Sequence, residues 1–183
     1  MRHSLKVMGG LGNQLFQYFA SLYIAIKSSS EIDLLVHRNL SLSKVPINLY
    51  LIDKRCNIKH ESGVFHRIMN PLENYSAKLH LSKNRAENCR VSFLDNSISM
   101  MNSILNLEFT KVIFADDLGF IDPEISSKTK LVGYFQSYKY FEFCLSSTTV
   151  NPLILKNPSE NLKVLTNQIS KSRSLIVHIR RND

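Results

Sequence analysis

The chain has 183 residues, with 44% apolar and 21% charged side chains, and is therefore long enough to form one compact domain with a buried core. Its six glycines and five prolines are too few for a collagen-like or disordered chain. The net charge of +8 fits either an anionic partner or a generally basic surface, because the basic residues are scattered and form no nucleic-acid-binding signature.

The three cysteines, Cys56, Cys89 and Cys144, are far apart in the sequence and form no CxxC pair. This pattern favours free thiols in a reducing compartment over a zinc site or a disulfide framework. We expect them to be ordinary core or surface positions and not nucleophiles.

The amino-terminal part of the chain has the pattern of a parallel α/β unit. An apolar run from Leu5 to Met8 predicts a strand, and a turn with three glycines in residues 9–12 follows it. Apolar side chains at helical spacing in residues 15–26 predict a buried amphipathic helix that ends at residues 27–30. A second buried strand is predicted from Ile32 to Val36, which completes a β–turn–α–β unit.

The glycine turn and the helix after it would present free backbone N–H groups to an anion or another polar ligand. A nicotinamide dinucleotide site is not favoured, because its fingerprint needs a third glycine where this chain has Leu15. A secretory signal peptide is not favoured either. The polar residues 9–14 separate the basic residues from the apolar run, which is too short to span a membrane.

Residues 40–107 are the least informative part of the chain. We predict a strand from Ile47 to Ile52 and the start of a helix from Gly63 to Met69. The histidines at positions 37, 60, 66 and 80 lack the spacing of metal ligands, and we interpret them as surface residues.

Two further strands are predicted after this segment, at residues 112–115 and from residue 130 into a loop that ends at residue 137. The first is followed by Asp116 and Asp117, a carboxylate pair that suits Mg²⁺ but more often forms a turn. The second is followed by a predicted helix with an aromatic cluster. This cluster is either part of the core or a surface on which a sugar ring stacks, and its members are Tyr138, Tyr140, Phe141 and Phe143.

The last part of the chain begins with a predicted linker between the Asn-Pro pairs at residues 151–152 and 157–158. An amphipathic helix over residues 159–170 and a buried strand over residues 175–177 follow. This strand leads into His178, Arg180 and Arg181, and the carboxyl ends of parallel strands are where α/β sheets bind ligands. Paired arginines suit a diphosphate and would stabilise its charge as it leaves. The alternative is a surface ion pair between Arg181 and Asp183.

Three segments together resemble the successive motifs of one enzyme family. They are residues 9–18 (GGLGNQLFQY), residues 133–141 (GYFQSYKYF) and residues 177–183 (VHIRRND). In order and spacing they are similar to the motifs of the bacterial α-1,2-fucosyltransferases, glycosyltransferase family 11. The HxRRxD pattern of the third segment is shared more widely, with α-1,6-fucosyltransferases and protein O-fucosyltransferases.

The resemblance implies a hexosyltransferase that moves L-fucose from GDP-fucose to a sugar hydroxyl of a surface glycan, with inversion and without a metal or another cofactor. The acceptor it implies is a galactose-containing oligosaccharide or a lipid-linked glycan, as in O-antigen biosynthesis, and not a nucleic acid. It also implies a cytoplasmic enzyme, with peripheral contact at the inner face of the anionic cytoplasmic membrane.

The resemblance further implies an α/β protein of the GT-B type, in which two Rossmann-like halves face each other across the substrate cleft. Residues 1–156 would form the acceptor-side half, and residues 157–183 a linker helix, the first strand and the phosphate loop of the donor-binding half. Family members continue beyond the third motif, so we expect the chain to be the amino-terminal portion of the enzyme, with little or no activity of its own.

Carried over residue by residue, the resemblance implies that Arg180 contacts the GDP phosphates, that Arg181 and His178 support it, and that Asp183 orients the loop. From the opposite half, the donor would be met by a second set of residues, namely Gly10, Gly12, Asn13 and Gln14. One departure is Asn182, where the family usually has glycine; asparagine tolerates a left-handed backbone better than most residues.

Two other hypotheses remain from the sequence. The chain fits a non-catalytic α/β module that binds a glycan or an anionic surface through its aromatic cluster and positive charge. Nucleic-acid binding rests on net charge alone and would depend steeply on salt.

Overall fold

The computed structural model describes residues 2–37, 45–61, 71–72, 75, 96–98, 100–101, 111–115, 120–122, 125, 129–147 and 154–172. Its elements in chain order are β1 (Arg2–Lys6), α1 (Leu11–Lys27), β2 (Glu31–Val36), a 3₁₀ helix (Pro46–Leu49), β3 (Tyr50–Leu51), β4 (Cys56–His60), β5 (Lys111–Ala115), β6 (Thr129–Gly133), α2 (Tyr138–Ser146), β7 (Ile154–Leu155) and α3 (Glu160–Ser170).

Five of these strands form one parallel sheet in the order β4-β2-β1-β6-β5. The chain leaves β1 toward β2 on one side, and β6 lies on the other side of β1. The order therefore reverses between β1 and β6, which makes their carboxyl ends the topological switch point of the sheet. The predicted parallel α/β fold is confirmed, and the arrangement is consistent with a Rossmann-like fold.

α1 crosses one face of this sheet, as the apolar spacing predicts. It begins at Leu11, four residues before the apolar run that predicted it, and ends at Lys27. Its N-cap is Gly10, whose backbone is extended, and its C-cap is Ser28, whose N–H donates to the Ile24 carbonyl at 2.9 Å. The basic side chain of Lys27 lies in the last turn, where its positive charge interacts favourably with the negative end of the helix dipole.

α2 packs beside α1 through aromatic contacts. The ring of Tyr23 meets the rings of Phe143, Phe120 and Tyr140 edge-on, with centroids 4.8, 5.3 and 5.4 Å away. The Tyr140 hydroxyl donates to the Ile121 carbonyl at 2.8 Å and accepts from the Ile121 N–H at 2.9 Å. Burial raises the pKa of Tyr140 to about 12, so this residue is a neutral core tyrosine.

The opposite face of the sheet combines a small apolar cluster with buried charges. The apolar cluster consists of Ile98, Val112, Phe114 and Val132. Beside it, Lys130 Nζ lies 2.9 Å from Glu61 Oε1, and their side chains are only 2% and 3% exposed. A second pair, Lys59 and Asp33, is also at 2.9 Å, but its lysine is largely exposed. The described part of this face is therefore more polar than the face under α1.

Three predicted elements differ from the structure. β1 begins at Arg2 and ends at Lys6, whereas the apolar run predicts a strand from Leu5 to Met8. The predicted strand from Ile47 to Ile52 is largely wrong, because Pro46 starts a 3₁₀ helix and only β3 is extended. The described part of the predicted linker contains β7, which pairs with β3 in an antiparallel ribbon.

α3 has the predicted position and cap, since Ser159 Oγ accepts from the Leu162 N–H at 3.3 Å. None of its residues is buried. Within the described ranges, no helix combines the length and the apolarity needed to cross a bilayer. Cys56 and Cys144 are free and buried, as expected, and burial raises the pKa of both thiols.

Several predictions concern residues outside the described ranges. These are the helix start at residues 63–69, the carboxylates Asp116 and Asp117, the thiol of Cys89, the strand at residues 175–177, and the motif that contains His178, Arg180, Arg181 and Asp183.

Candidate active site

The candidate site lies at the topological switch point, where the loops after β1 and β6 emerge side by side. The loop after β1 carries the glycine motif and leads into α1, while the loop after β6 carries the second motif and leads into α2. Two motifs that are more than a hundred residues apart in sequence are thus brought to one edge of the sheet. This edge is where parallel α/β sheets bind their ligands.

A buried glutamine fastens the two loops together. Gln17 is 0% exposed, its Oε1 accepts from the Met8 N–H at 3.1 Å, and its Nε2 donates to the Gly133 carbonyl at 3.0 Å. The side chain therefore satisfies one backbone group at the end of each strand. Gln17 lies in the first motif but was not predicted as a site residue. Its one signal was an uncharged polar side chain on the buried face of a helix.

Glycine is needed at two positions in these loops. Gly9 has φ +75°, and a Cβ there would lie 2.6 Å from Asn13 Nδ2 and 3.2 Å from Tyr134 Cε1. Gly133 has φ +146°, and a Cβ there would lie 2.6 Å from the Ala115 carbonyl oxygen. The loop after β1 therefore packs directly against the loop after β6, with no room for side chains at either glycine.

Gln14 turns inward and holds the glycine turn. Its Nε2 donates to the Gly9 carbonyl at 2.9 Å, and its Oε1 accepts from the Ile47 N–H at 3.1 Å. The side chain is 6% exposed. It thus connects the turn with the 3₁₀ helix, and its predicted contact with the donor stays a prediction.

Asn13 and Gln136 connect the two motifs at the protein surface. Gln136 Nε2 donates to Asn13 Oδ1 at 2.8 Å. Each amide keeps further hydrogen-bonding capacity, because a primary amide has two N–H donors and an acceptor with two lone pairs. Gln136 was not predicted as a site residue; its only sequence signal was its place in the second motif.

The first turn of α1 is open beside this amide pair. Gly10 and Gly12 are exposed, and a Cβ at either would meet nothing within 4 Å. The N-cap Gly10 offers no side chain to the free N–H groups, and the first turn carries no acidic residue. Such a helix start suits an anion or a polar ligand that approaches the backbone.

The aromatic cluster after the second motif divides between core and surface. Tyr140 is fully buried, which confirms the core interpretation for that residue. Tyr138 is 67% exposed and Phe141 is 42% exposed, so these residues lie at the surface and not in the core. The Phe143 ring of α2 packs edge-on against the Tyr23 ring of α1 and is partly exposed.

In the part of the chain that the structure describes, no three His, Cys, Asp or Glu side chains lie close enough together to hold a metal ion. No protein-family model, curated protein or solved structure matches the chain.

Proposed function

We propose that the chain is an α-1,2-fucosyltransferase sequence that takes L-fucose from GDP-fucose and passes it to a hydroxyl of a galactose-containing glycan. The observation that carries the proposal is the 2.8 Å hydrogen bond from Gln136 Nε2 to Asn13 Oδ1. It joins two of the three motifs on which the resemblance rests, at the edge of the sheet where a ligand is expected.

Fucose transfer requires that the negative charge on the leaving diphosphate be stabilised. The acceptor hydroxyl attacks the anomeric carbon while the bond to GDP breaks, so negative charge develops on the departing phosphate. In the proposal, Arg180 and Arg181 meet that charge with planar forks of N–H donors, supported by His178 and oriented by Asp183. The free backbone N–H groups in the open first turn of α1, after Gly10, carry partial positive charge and would stabilise the same phosphate.

In the GT-B arrangement that we propose, the five-stranded sheet belongs to the half that receives the acceptor, and the donor approaches across a cleft. Asn13 and Gln136 would then contact the sugar portions of the reactants with the amide capacity that their mutual bond leaves free. The inverting reaction also needs a general base, and the proposal assigns none.

The test combines a binding and a turnover measurement on the purified protein. Titration calorimetry with GDP should give a saturable isotherm. Arg180→Ala should weaken it about 10- to 100-fold, the loss expected for hydrogen bonds to a charged group. Lys171→Ala, which removes an exposed positive charge after α3, is the matched control and should leave the affinity within about twofold.

Turnover is measured as fucose transfer from GDP-fucose to lactose, for the chain alone and with whatever the reading frame encodes beyond Asp183. Transfer that Arg180→Ala abolishes supports the proposal. Absence of both GDP binding and transfer in every form would refute it, and so would transfer that Arg180→Ala leaves intact.

A non-catalytic glycan-binding module is the second candidate, and the exposed rings of Tyr138 and Phe141 favour it. The same calorimetry separates the two candidates. Binding of galactosides with no response to GDP in any form of the protein supports the binding module, whereas a GDP response that depends on Arg180 supports the transferase.

A further inference from the structure

An apolar groove of about 320 Å³ lies between α1 and α2. It has a size near the lower limit of small-molecule sites, and such sites are typically lined by aromatic side chains with a few polar groups at the edge. The described residues that line it are Gly12, Leu15, Phe16, Phe19, Tyr138 and Phe141.

The groove presents aromatic surface that the protein does not bury. Phe16, Tyr138 and Phe141 are 36%, 67% and 42% exposed. Leaving several large apolar side chains exposed at one place forgoes the stabilisation that their burial would give, and such patches commonly mark binding sites. The Phe141 ring also meets the Phe19 ring edge-on, with centroids 4.9 Å apart, so one exposed ring of α2 is held against α1.

The groove is continuous with the candidate active site. Gly12 and Asn13 are neighbours in the first turn of α1, and Gly12 lines the groove while Asn13 pairs with Gln136. On the other wall, Ser137 caps α2, and the first residue of that helix is Tyr138. Both walls therefore begin at the two loops that carry the amide pair, with Asn13 next to Gly12 in the chain and Gln136 two residues before Tyr138.

We infer that this groove binds one pyranose ring of the glycan acceptor, with the apolar C–H face of the ring against Tyr138 and Phe141. The hydroxyls of the same ring point to Asn13 and Gln136, whose amides donate and accept hydrogen bonds. This inference rests on the proposed function, since it names the place where the acceptor lies.

The lining chemistry favours a sugar over a nucleobase. A base in a specific site is held by hydrogen bonds to its edge while both ring faces are stacked, yet among the six described lining residues only Tyr138 has a side-chain hydrogen-bonding group. A sugar ring needs an apolar surface for one face and polar groups at its rim. The exposed rings of Tyr138 and Phe141 offer the apolar surface, and the amides of Asn13 and Gln136 offer the polar groups.

The test measures the affinity of methyl β-galactoside by saturation-transfer NMR on the full chain, for wild type, Tyr138→Ala, Tyr138→Phe and Leu145→Ala. Tyr138 is exposed, so its truncation leaves the fold intact. Loss of one stacking ring should weaken binding about three- to tenfold, while Tyr138→Phe keeps the ring and should restore it. Leu145 is an exposed apolar residue of the same helix outside the lining, and Leu145→Ala should change nothing.

The ring protons of the apolar face should receive the strongest saturation. Unchanged affinity in Tyr138→Ala overturns the inference, and so does a wild-type protein that binds no galactoside. A substitution that changes the oligomeric state instead of the affinity identifies the groove as an interface between copies and also overturns it. GDP titration of the same variants keeps the two proposals apart, because Tyr138→Ala should not alter a response to GDP that depends on Arg180.

Discussion

Replacing Gln17 with alanine should strongly destabilise the protein. The substitution removes the acceptor of the Met8 N–H and the donor to the Gly133 carbonyl, at a residue that is 0% exposed. Each buried backbone group left unpaired costs about 1–3 kcal/mol. The cavity left by the missing side-chain atoms adds to this loss. We therefore expect the free energy of unfolding to fall by about 2–5 kcal/mol.

The assay is urea unfolding followed by circular dichroism, with Gln168→Ala as the matched control on the exposed surface of α3. The control should stay within about 0.5 kcal/mol of wild type. Gln17→Glu should also destabilise, because a carboxylate still accepts from Met8 but cannot donate to the Gly133 carbonyl. A Gln17→Ala protein as stable as the Gln168→Ala control would refute the idea that this side chain fastens the two loops.

Three further predictions concern stability. Gly9→Ala should cost about 1–2 kcal/mol, because φ is +75° and the new Cβ would meet the Asn13 amide, whereas Gly10→Ala enters open space and should cost less; urea unfolding of both checks this. Lys130→Met should cost about 3–5 kcal/mol because it removes a cationic partner of the buried Glu61 carboxylate, and a loss below about 1 kcal/mol would contradict a contribution of this ion pair to stability. His3 is buried without a hydrogen-bond partner among the described residues, and burial lowers its pKa below 6.5. Because the folded protein holds His3 neutral, its free energy of unfolding should fall as the pH drops below about 6.5, the pKa of an unfolded histidine. A series of thermal melts at different pH values should show a smaller fall for His3→Leu than for wild type.

The sequence was sufficient for the parallel α/β arrangement because the signals were local. Apolar spacing in α1 and the run of buried residues in β2 each depend on a single segment. β2 has nearly the predicted bounds, and α1 ends where predicted but begins four residues before the apolar run. Asn13 of the first motif and Gln136 of the second meet at one edge of the sheet, but that this edge is the active site stays a prediction.

Other features depend on partners that are distant in sequence. β1 is central, so His3 and Lys6 are buried despite their polarity, and hydropathy misplaced the strand. The ion pair of Lys130 joins residues 69 positions apart. The Gln17 side chain reaches a carbonyl 116 positions away. Each of these contacts is set by how the strands are ordered in the sheet, which no local pattern encodes.

The 3₁₀ helix at Pro46–Leu49 was mispredicted as a strand for a similar reason. An apolar segment after Pro46 is compatible with a strand, but the Ile47 N–H is taken by the Gln14 side chain from α1. A helical turn then follows the proline, and only β3 remains extended, paired with β7 from far along the chain. Tertiary hydrogen bonds thus overrode the local preference.

In the proposed function, the diphosphate of GDP-fucose meets the first turn of α1 and its sugar meets the amide pair, a claim that backbone-amide NMR during a GDP-fucose titration checks. We expect saturable shifts at the amides of Gly10, Gly12 and Gln136, on both loops and with one dissociation constant. The amide of Ser30, near the amino ends of the strands, should not move. Shifts confined to one loop or to the opposite edge of the sheet, or no saturable response, would contradict the claim.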